Sequence, residues 1–473
     1  MEVKMISREL VKPSSPEIIR TKPPQKLCLF DQLTPLTFSP LIIFYHNPHR
    51  SNPNLAAAAT TSFIHRLKNS LAETLNIYYP FSGRTNPGNL VVDRFEEGVP
   101  FLHAQSDCRL SDFLKRRQPD LLNRLLPRPP YLKEPADVDA PLLEIQVSVF
   151  TCGGIALGWA ASHKLIDGFT MRSLIHVYSS ISLGGRARDK ILAAPRPNFG
   201  RAAELFPARE DIPESYRTVM EKIWFTEGNY VTRRFVFDSK SISKLRALAS
   251  SGGGGGGKTE QEQGRKPIKL SRVEAVSCFI WKSNMSAAKL VSGGTPRTSV
   301  LVEAVNLRGM TDPPLYGDSI GNVVWWATAW ADESSAGELP ELAELLSGAI
   351  ELYKSDYVRS LQGEEGFEAM SNYFDQLEGL LLEGEVRPDI LAFTSWNSFG
   401  ETNQDFGWGG PVWVAAMGRP SPGFRNFTVL VDSVEGGGKM EAWITLEEKR
   451  MAVFERDPEF LAFASPNPII SNL

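Results

Sequence analysis

The sequence predicts an α/β protein of two halves joined by a linker, and three features predict it. The chain is 473 residues long, more than one compact core usually holds. Segments of strand-like and helix-like periodicity alternate along it. Between them, periodicity lapses in a stretch carrying Pro195, Pro197, Pro207 and Pro213, which reads as a long crossover. The halves fall at 1–190 and 223–473, with 191–222 connecting them.

The elements follow in order. Phe63, Leu67, Leu71, Thr74 and Leu75 recur at helical spacing, with Glu and Lys on the other face, and predict a helix over 62–78. Residues 142–151 alternate, placing Ile145, Val147 and Val149 on one face of a half-buried strand. Gly153-Gly154 marks a turn, and 155–162 is more continuously apolar, as a fully buried strand would be. A helix follows from Phe169 to about Ile181, stopped by Gly184-Gly185. Beyond the crossover, 231–237 predicts a strand and 239–250 a helix with a serine N-cap. The glycine run 252–257 lacks the spacing of a phosphate loop despite Lys258-Thr259, and reads as a surface insertion.

Composition excludes several classes. A formal net charge of −4 leaves no basic excess for nucleic acid. Cys28, Cys108, Cys152 and Cys278 are far apart and form no CxxC pair, which argues against a disulfide framework or zinc site and for a reducing compartment. The first twenty residues mix charge with apolar residues and hold no signal-peptide core. The apolar runs at 40–45 and 322–331 are too short to span a bilayer. The expectation is a soluble, cytoplasmic protein with neither nucleic acid nor membrane as partner.

The main chemical signal is Ser162-His163-Lys164-Leu165-Ile166-Asp167-Gly168, where the buried strand gives way to a turn and a helix. An imidazole can take a proton from an alcohol as its oxygen attacks a carbonyl. Taken alone, the string fits a core histidine beside a helix-capping aspartate equally well. A second string, Asp405-Phe406-Gly407-Trp408-Gly409, offers no nucleophile or base and suggests an aromatic-anchored turn.

Together the two strings resemble the BAHD acyltransferase family. The resemblance extends over essentially the whole chain: 67–84, Asn306-Leu307-Arg308 before Pro313-Pro314, Gly321-Asn322 and Thr394-Ser395-Trp396 fall in the family's order. It implies two chloramphenicol-acetyltransferase-like domains with mixed sheets flanked by helices, joined by the long crossover loop, with an active-site channel between them. His163 would lie mid-channel as general base, giving a tetrahedral intermediate that collapses to ester and CoA without an acyl-enzyme. Asp167 would support the loop by pairing with an arginine, for which Arg272 is the candidate; a role orienting the imidazole is the alternative. Thr394 or Trp396 would stabilise the oxyanion, a contribution of about 2.7–4 kcal/mol, although Trp396 reads equally as packing. Asp405 to Gly409 would be structural, shaping the CoA side of the channel.

The resemblance further implies an acyl-CoA co-substrate, acetyl-CoA above all, no tightly bound cofactor or metal, and a monomer. Short strings (KPSSP at 12–16, Asp31-Gln32, FTSWNSFG at 393–400) are similar to the family's alkaloid and alcohol acetyltransferase branch. The acceptor would be a hydroxyl on an alkaloid, terpenoid or alcohol, with Phe38, Phe44, Trp325 and Trp326 as candidate lining residues. A hydroxycinnamoyl or benzoyl transferase of the family, or a non-catalytic ligand-binding relative, is the alternative.

Two rivals fail on the residues themselves. Gly317-Asp318-Ser319-Ile320-Gly321 has the spelling of a hydrolase elbow, but that fold places its histidine after the serine, and the last histidine is His176. His46 and His49 flank Pro48 in a loop-like setting without carboxylates, so they predict a turn and not a metal site.

Overall fold

In a computed structural model, the alternation resolves into two mixed β-sheets. The structure describes residues 1–49, 53–86, 90–116, 118–131, 139–225, 228–250, 268–295, 297–315, 317–332, 338–354, 356–379, 387–396, 404–420 and 425–470; the glycine run 252–257 lies outside them. The strands of these two sheets are β1 (Val3–Val11), β2 (Phe38–Tyr45), β3 (Val99–Ser106), β4 (Leu143–Val149), β5 (Ile155–Ser162), β6 (Tyr230–Phe237), β7 (Ser299–Asn306), β8 (Val324–Ala331), β9 (Asp389–Ser395), β10 (Trp413–Ala415), β11 (Phe427–Asp432), β12 (Met440–Glu447) and β13 (Ala464–Pro466); a small third sheet joins Gln25–Lys26, Val91–Asp93 and Arg84–Thr85. The first sheet runs β1-β3-β4-β5-β2-β10 and the second β8-β7-β9-β11-β12-β6-β13. Strand β10 therefore leaves the C-terminal half and pairs antiparallel with β2, Trp413 opposite Phe44.

The helices that matter for the site are α1 (Leu29–Leu33), α2 (Pro53–Ile77), α3 (Gly168–Leu183), α4 (Glu214–Trp224), α5 (Ser239–Ser250) and α6 (Arg272–Val291). Helix α2 starts nine residues before the predicted boundary at 62. The cap of α5 is Asp238, whose Oδ1 accepts the Ser241 N–H at 2.7 Å, so the expected serine cap is corrected. The crossover is more ordered than its prolines suggest, holding Arg201–Leu205 and α4.

Strand β5 is buried at all eight positions, as a central strand between β4 and β2 must be. Gly158 is required there. A Cβ would lie 2.0 Å from the Leu125 carbonyl oxygen, where the 3₁₀ turn Pro119–Leu125 crosses the sheet. The same turn corrects the half-buried expectation for β4, which is buried along almost its whole length. Its polar face is satisfied locally: Gln146 donates to Arg124 O at 3.0 Å, and Arg128 donates to Glu144 at 2.9 Å. One core spans both sheets, from Phe44 and Trp159 to Trp325 and Phe427. A second lies behind the C-terminal sheet, where α6 covers Leu301, Leu391 and Leu430.

Candidate active site

The buried strand β5 ends at Ser162, and its direction carries His163 out of the sheet into a cavity of about 160 Å³. The cavity is lined from both halves: Ser39, His163 and Met171 on one side, Trp326, Thr394 and Phe427 on the other. His163 is only partly covered. Its backbone N–H donates to Thr37 O at 2.9 Å, and its ring Nε2 lies 2.5 Å from Ser39 Oγ. Burial lowers its pKa to about 4, against the opposing pull of the Asp167 charge. The ring is therefore neutral at physiological pH and has a lone pair to offer.

Asp167 also lines the cavity, but its carboxylate is bonded to groups other than the imidazole. It caps α3, Oδ1 accepting the Thr170 N–H at 2.8 Å, and Oδ2 accepts the Val323 N–H at 3.2 Å. Arg308 completes the set as a bidentate partner, Nη1 to Oδ2 at 2.7 Å and Nη2 to Oδ1 at 3.2 Å. Both side chains are 3% exposed. Arg308 also donates to Ser319 O and Gly321 O. The expected partner Arg272 is corrected: it sits at the start of α6 and pairs with Asp432 at 3.0 Å. Arg308 lay in the Asn306-Leu307-Arg308 string already singled out, and only the long-range fold shows which arginine reaches Asp167.

Thr394 lies next to the end of β9 and Trp396 just beyond it, pinned by its N–H to Leu430 O at 2.7 Å; both line the cavity with His163. Trp325 and Trp326 line it too, whereas Phe38 and Phe44 do not. Phe38 lies under the Arg128 guanidinium at 3.8 Å, and Phe44 stacks on Trp413 at 5.2 Å. Ser39 and Leu41, from the same strand, line the cavity instead. A strand buried on both faces carries no alternation to reveal which parity faces the site.

Of an aromatic wall in the cavity, sequence reasoning named only Trp326 and missed Trp224, Phe427 and Tyr131. The Trp224 ring meets Trp326 at 4.7 Å and Phe427 at 5.8 Å, and Tyr131 meets Phe427 at 5.4 Å. These four come from α4, β8, β11 and a turn, and no local pattern joins them. The turn at Tyr131 is unusual, a non-glycine residue with φ of 50°.

The Asp405 turn lies outside the cavity lining. Asp405 Oδ1 accepts the N–H groups of Gly407, Trp408 and Gly409 at 2.7, 2.9 and 3.0 Å. Trp408 stacks on Phe63 of α2 at 4.3 Å, and Phe406 packs against Tyr178 at 5.0 Å. Gly407, at φ of 84°, has the Arg66 guanidinium 2.9–3.2 Å from where a Cβ would stand. Ser319, the serine of the hydrolase-like string, is fully buried. Among the described residues no group of histidine, cysteine and carboxylate side chains could hold a metal, and no helix is long and apolar enough to cross a membrane.

A model of the Transferase family matches residues 1–461 of the chain. Akuammiline synthase 2 of Alstonia scholaris is 33% identical over 476 residues, covering 99% of this chain and 98% of that one. Epi-neemfruitin B 7-O-acetyltransferase of Melia azedarach is 35% identical over 481 residues, with 99% of each chain covered. The crystal structure of vinorine synthase superposes with a TM-score of 0.75 at 28% identity, covering 98% of this chain and 99% of that one.

Proposed function

The chain belongs to the BAHD acyltransferase family, and from that premise we propose that it transfers an acetyl group from acetyl-CoA to a hydroxyl of a bulky specialised metabolite, with His163 as general base. The observation that carries this reading is a neutral imidazole opening onto a cavity shared by both halves. Acetyl is favoured as the acyl group because a relative of similar length carries O-acetyltransferase in its name. An apolar acceptor fits a wall of Trp224, Trp326, Phe427 and Tyr131.

His163 Nε2 takes the acceptor proton as the acceptor oxygen attacks the thioester carbonyl. To do so it must displace or share the Ser39 hydroxyl that meets Nε2 at rest. The tetrahedral oxyanion is stabilised by the Thr394 hydroxyl or the Trp396 indole N–H. Collapse breaks the C–S bond, and the leaving thiolate takes the proton back from the imidazolium. No acyl-enzyme is involved: Cys28, near the site, is buried with its pKa raised well above the usual thiol value. Asp167 and Arg308 hold the loop, and Asp405 to Gly409 hold the fold. CoA and the acceptor are substrates of a monomer in this reading, with the cytoplasm as its place of work.

Wild type and His163→Ala are to be compared with acetyl-CoA and a panel of polycyclic alcohols, reading free thiol and ester. Loss of roughly 100- to 10,000-fold in kcat is expected for removal of a general base, with unchanged thermal stability. Equal product from both proteins would sink the mechanism.

A further inference from the structure

Three contacts fix His163: its N–H on Thr37 O, its ring on Ser39, and its carbonyl, which accepts from Asn322 Nδ2 at 2.5 Å. The third has a buried carboxylate behind it. Asp31, on α1, is 2% exposed. Its Oδ1 accepts the backbone N–H of Asn322 at 2.8 Å and the side-chain Nδ2 at 2.9 Å. Its Oδ2 accepts the Cys28 N–H at 2.8 Å. The two hydrogens of one amide nitrogen thus go to two acceptors, the Asp31 carboxylate and the His163 carbonyl.

We propose that Asp31 is a positioning residue for acyl transfer: its carboxylate, acting through the Asn322 amide, fixes the backbone of His163 and so the reach of its imidazole into the cavity. The inference rests on the acyltransferase reading above. The arrangement is separate from the Asp167–Arg308 pair and complements it. Gly321, at φ of 123°, turns the chain so that two consecutive N–H groups diverge, Asn322 to Asp31 and Val323 to Asp167. One carboxylate holds the loop below the histidine, and the other holds the histidine itself. A displacement of about 1 Å at a reacting group costs on the order of 100-fold in rate, so a lost tether at this carbonyl matters.

The tether is sensitive to pH. Burial pushes Asp31 up to about 6, opposed by the donors on Asn322 and Cys28. Facing it are the Cys28 thiol, kept protonated, and Lys164, whose Nζ donates to Gln32 O at 3.2 Å and which burial pushes down to about 7. Arg217 and Glu221 of α4 act on Lys164 from behind. As pH falls through 6, Asp31 takes up a proton and its charge-assisted bonds to Asn322 weaken, while His163 stays neutral until about 4. Activity should therefore fall while the base is still competent. The sign for stability is opposite. A carboxyl whose folded pKa is raised adds stability below its unfolded value, and that stability is lost as pH rises through about 6. Protonation of Asp31 near 6 thus weakens the tether without itself destabilising the fold.

The test measures kcat/KM from pH 4.5 to 8.5 for wild type, Asp31→Asn and Lys164→Met. Wild type should show an acid limb centred near 6, and Lys164→Met should retain it. Asp31→Asn should lack that limb and lose roughly 10- to 100-fold in kcat/KM at pH 7.5, with KM for acetyl-CoA little moved. Wild-type kcat/KM in Asp31→Asn, a limb unchanged by that substitution, or a limb abolished only in Lys164→Met would overturn the proposal. Should Asp31→Asn fail to fold, Asn322→Ala carries the test, and wild-type kcat in that variant overturns it. A readout independent of turnover is the imidazole resonance of His163, assigned by its loss in His163→Ala. It should shift as pH passes 6 in wild type and not in Asp31→Asn; a resonance that moves only near 4 counts against the tether even if acyl transfer itself stands.

Discussion

Asp167 and Asp405 belong to the two strings that stand out in the sequence, and both gather backbone N–H groups, yet they organise space on different scales. Asp405 takes all three of its N–H bonds from the next four residues. It closes a turn that then leans on α2 through Trp408 and Phe63. Asp167 takes one bond from its own helix and the rest from Val323 and Arg308, far along the chain. The first carboxylate makes a local shape. The second joins the loop of His163 to the opposite half of the molecule, where Thr394 and Trp396 wait. A short motif therefore does not disclose its range. That is set by whether its bonding groups find donors nearby or across the core.

The sharpest way to break this comparison is to remove the long-range partner. Arg308→Ala leaves Asp167 buried without its cation, and losing one member of a buried pair costs about 3–5 kcal/mol. The urea midpoint should fall accordingly, with activity lost in step as His163 and Val323 lose a common anchor. A change below about 1 kcal/mol would mean the pair is dispensable. Asp405→Ala should cost less. It removes capping bonds of the kind worth about 0.5–2 kcal/mol, at a turn that does not line the cavity. The protein should melt somewhat earlier yet keep its kcat in what remains folded. A kcat loss beyond 10-fold in the folded fraction would place this turn in the chemistry and erase the contrast.

The same contrast explains what the sequence disclosed. The strand-turn-helix around His163 was legible because its signals are local: a continuous apolar run in β5, a glycine after Asp167, and helical spacing in α3. The helix at 239–250 was read correctly as well, with its cap misassigned by one residue between two capping side chains. Arg308 was not legible as the partner of Asp167, since any buried arginine meets the requirement and spacing cannot say which one crosses the core. The parity of β2 was hidden too. With both faces covered, Phe38 and Phe44 are as apolar as Leu41, which does face the site. Strand β10 returns to the first sheet while β11, β12 and β13 of the second are still to come, so a division at residues 190 and 223 puts the Asp405 turn in the C-terminal half although it packs on α2 and α3.

Arg272→Ala is the mildest substitution and the cleanest check on the corrected pairing. Its guanidinium bonds Asp432 at 3.0 Å and Gly438 O at 3.3 Å, but the two side chains are 37% and 29% exposed. Solvent-screened pairs of this kind contribute about 0–1 kcal/mol. The arginine also occupies the first turn of α6, where a positive charge opposes the helix dipole by a few tenths of a kcal/mol; its removal recovers part of the loss. The net effect should be under about 1 kcal/mol, should shrink further in 1 M salt, and should leave kcat untouched. Against it stands Arg308, 3% exposed and out of reach of salt. If instead Arg272→Ala destabilised the fold as much as Arg308→Ala and silenced acyl transfer, the two arginines would have exchanged roles, and the anchoring of the His163 loop would have to be traced through α6.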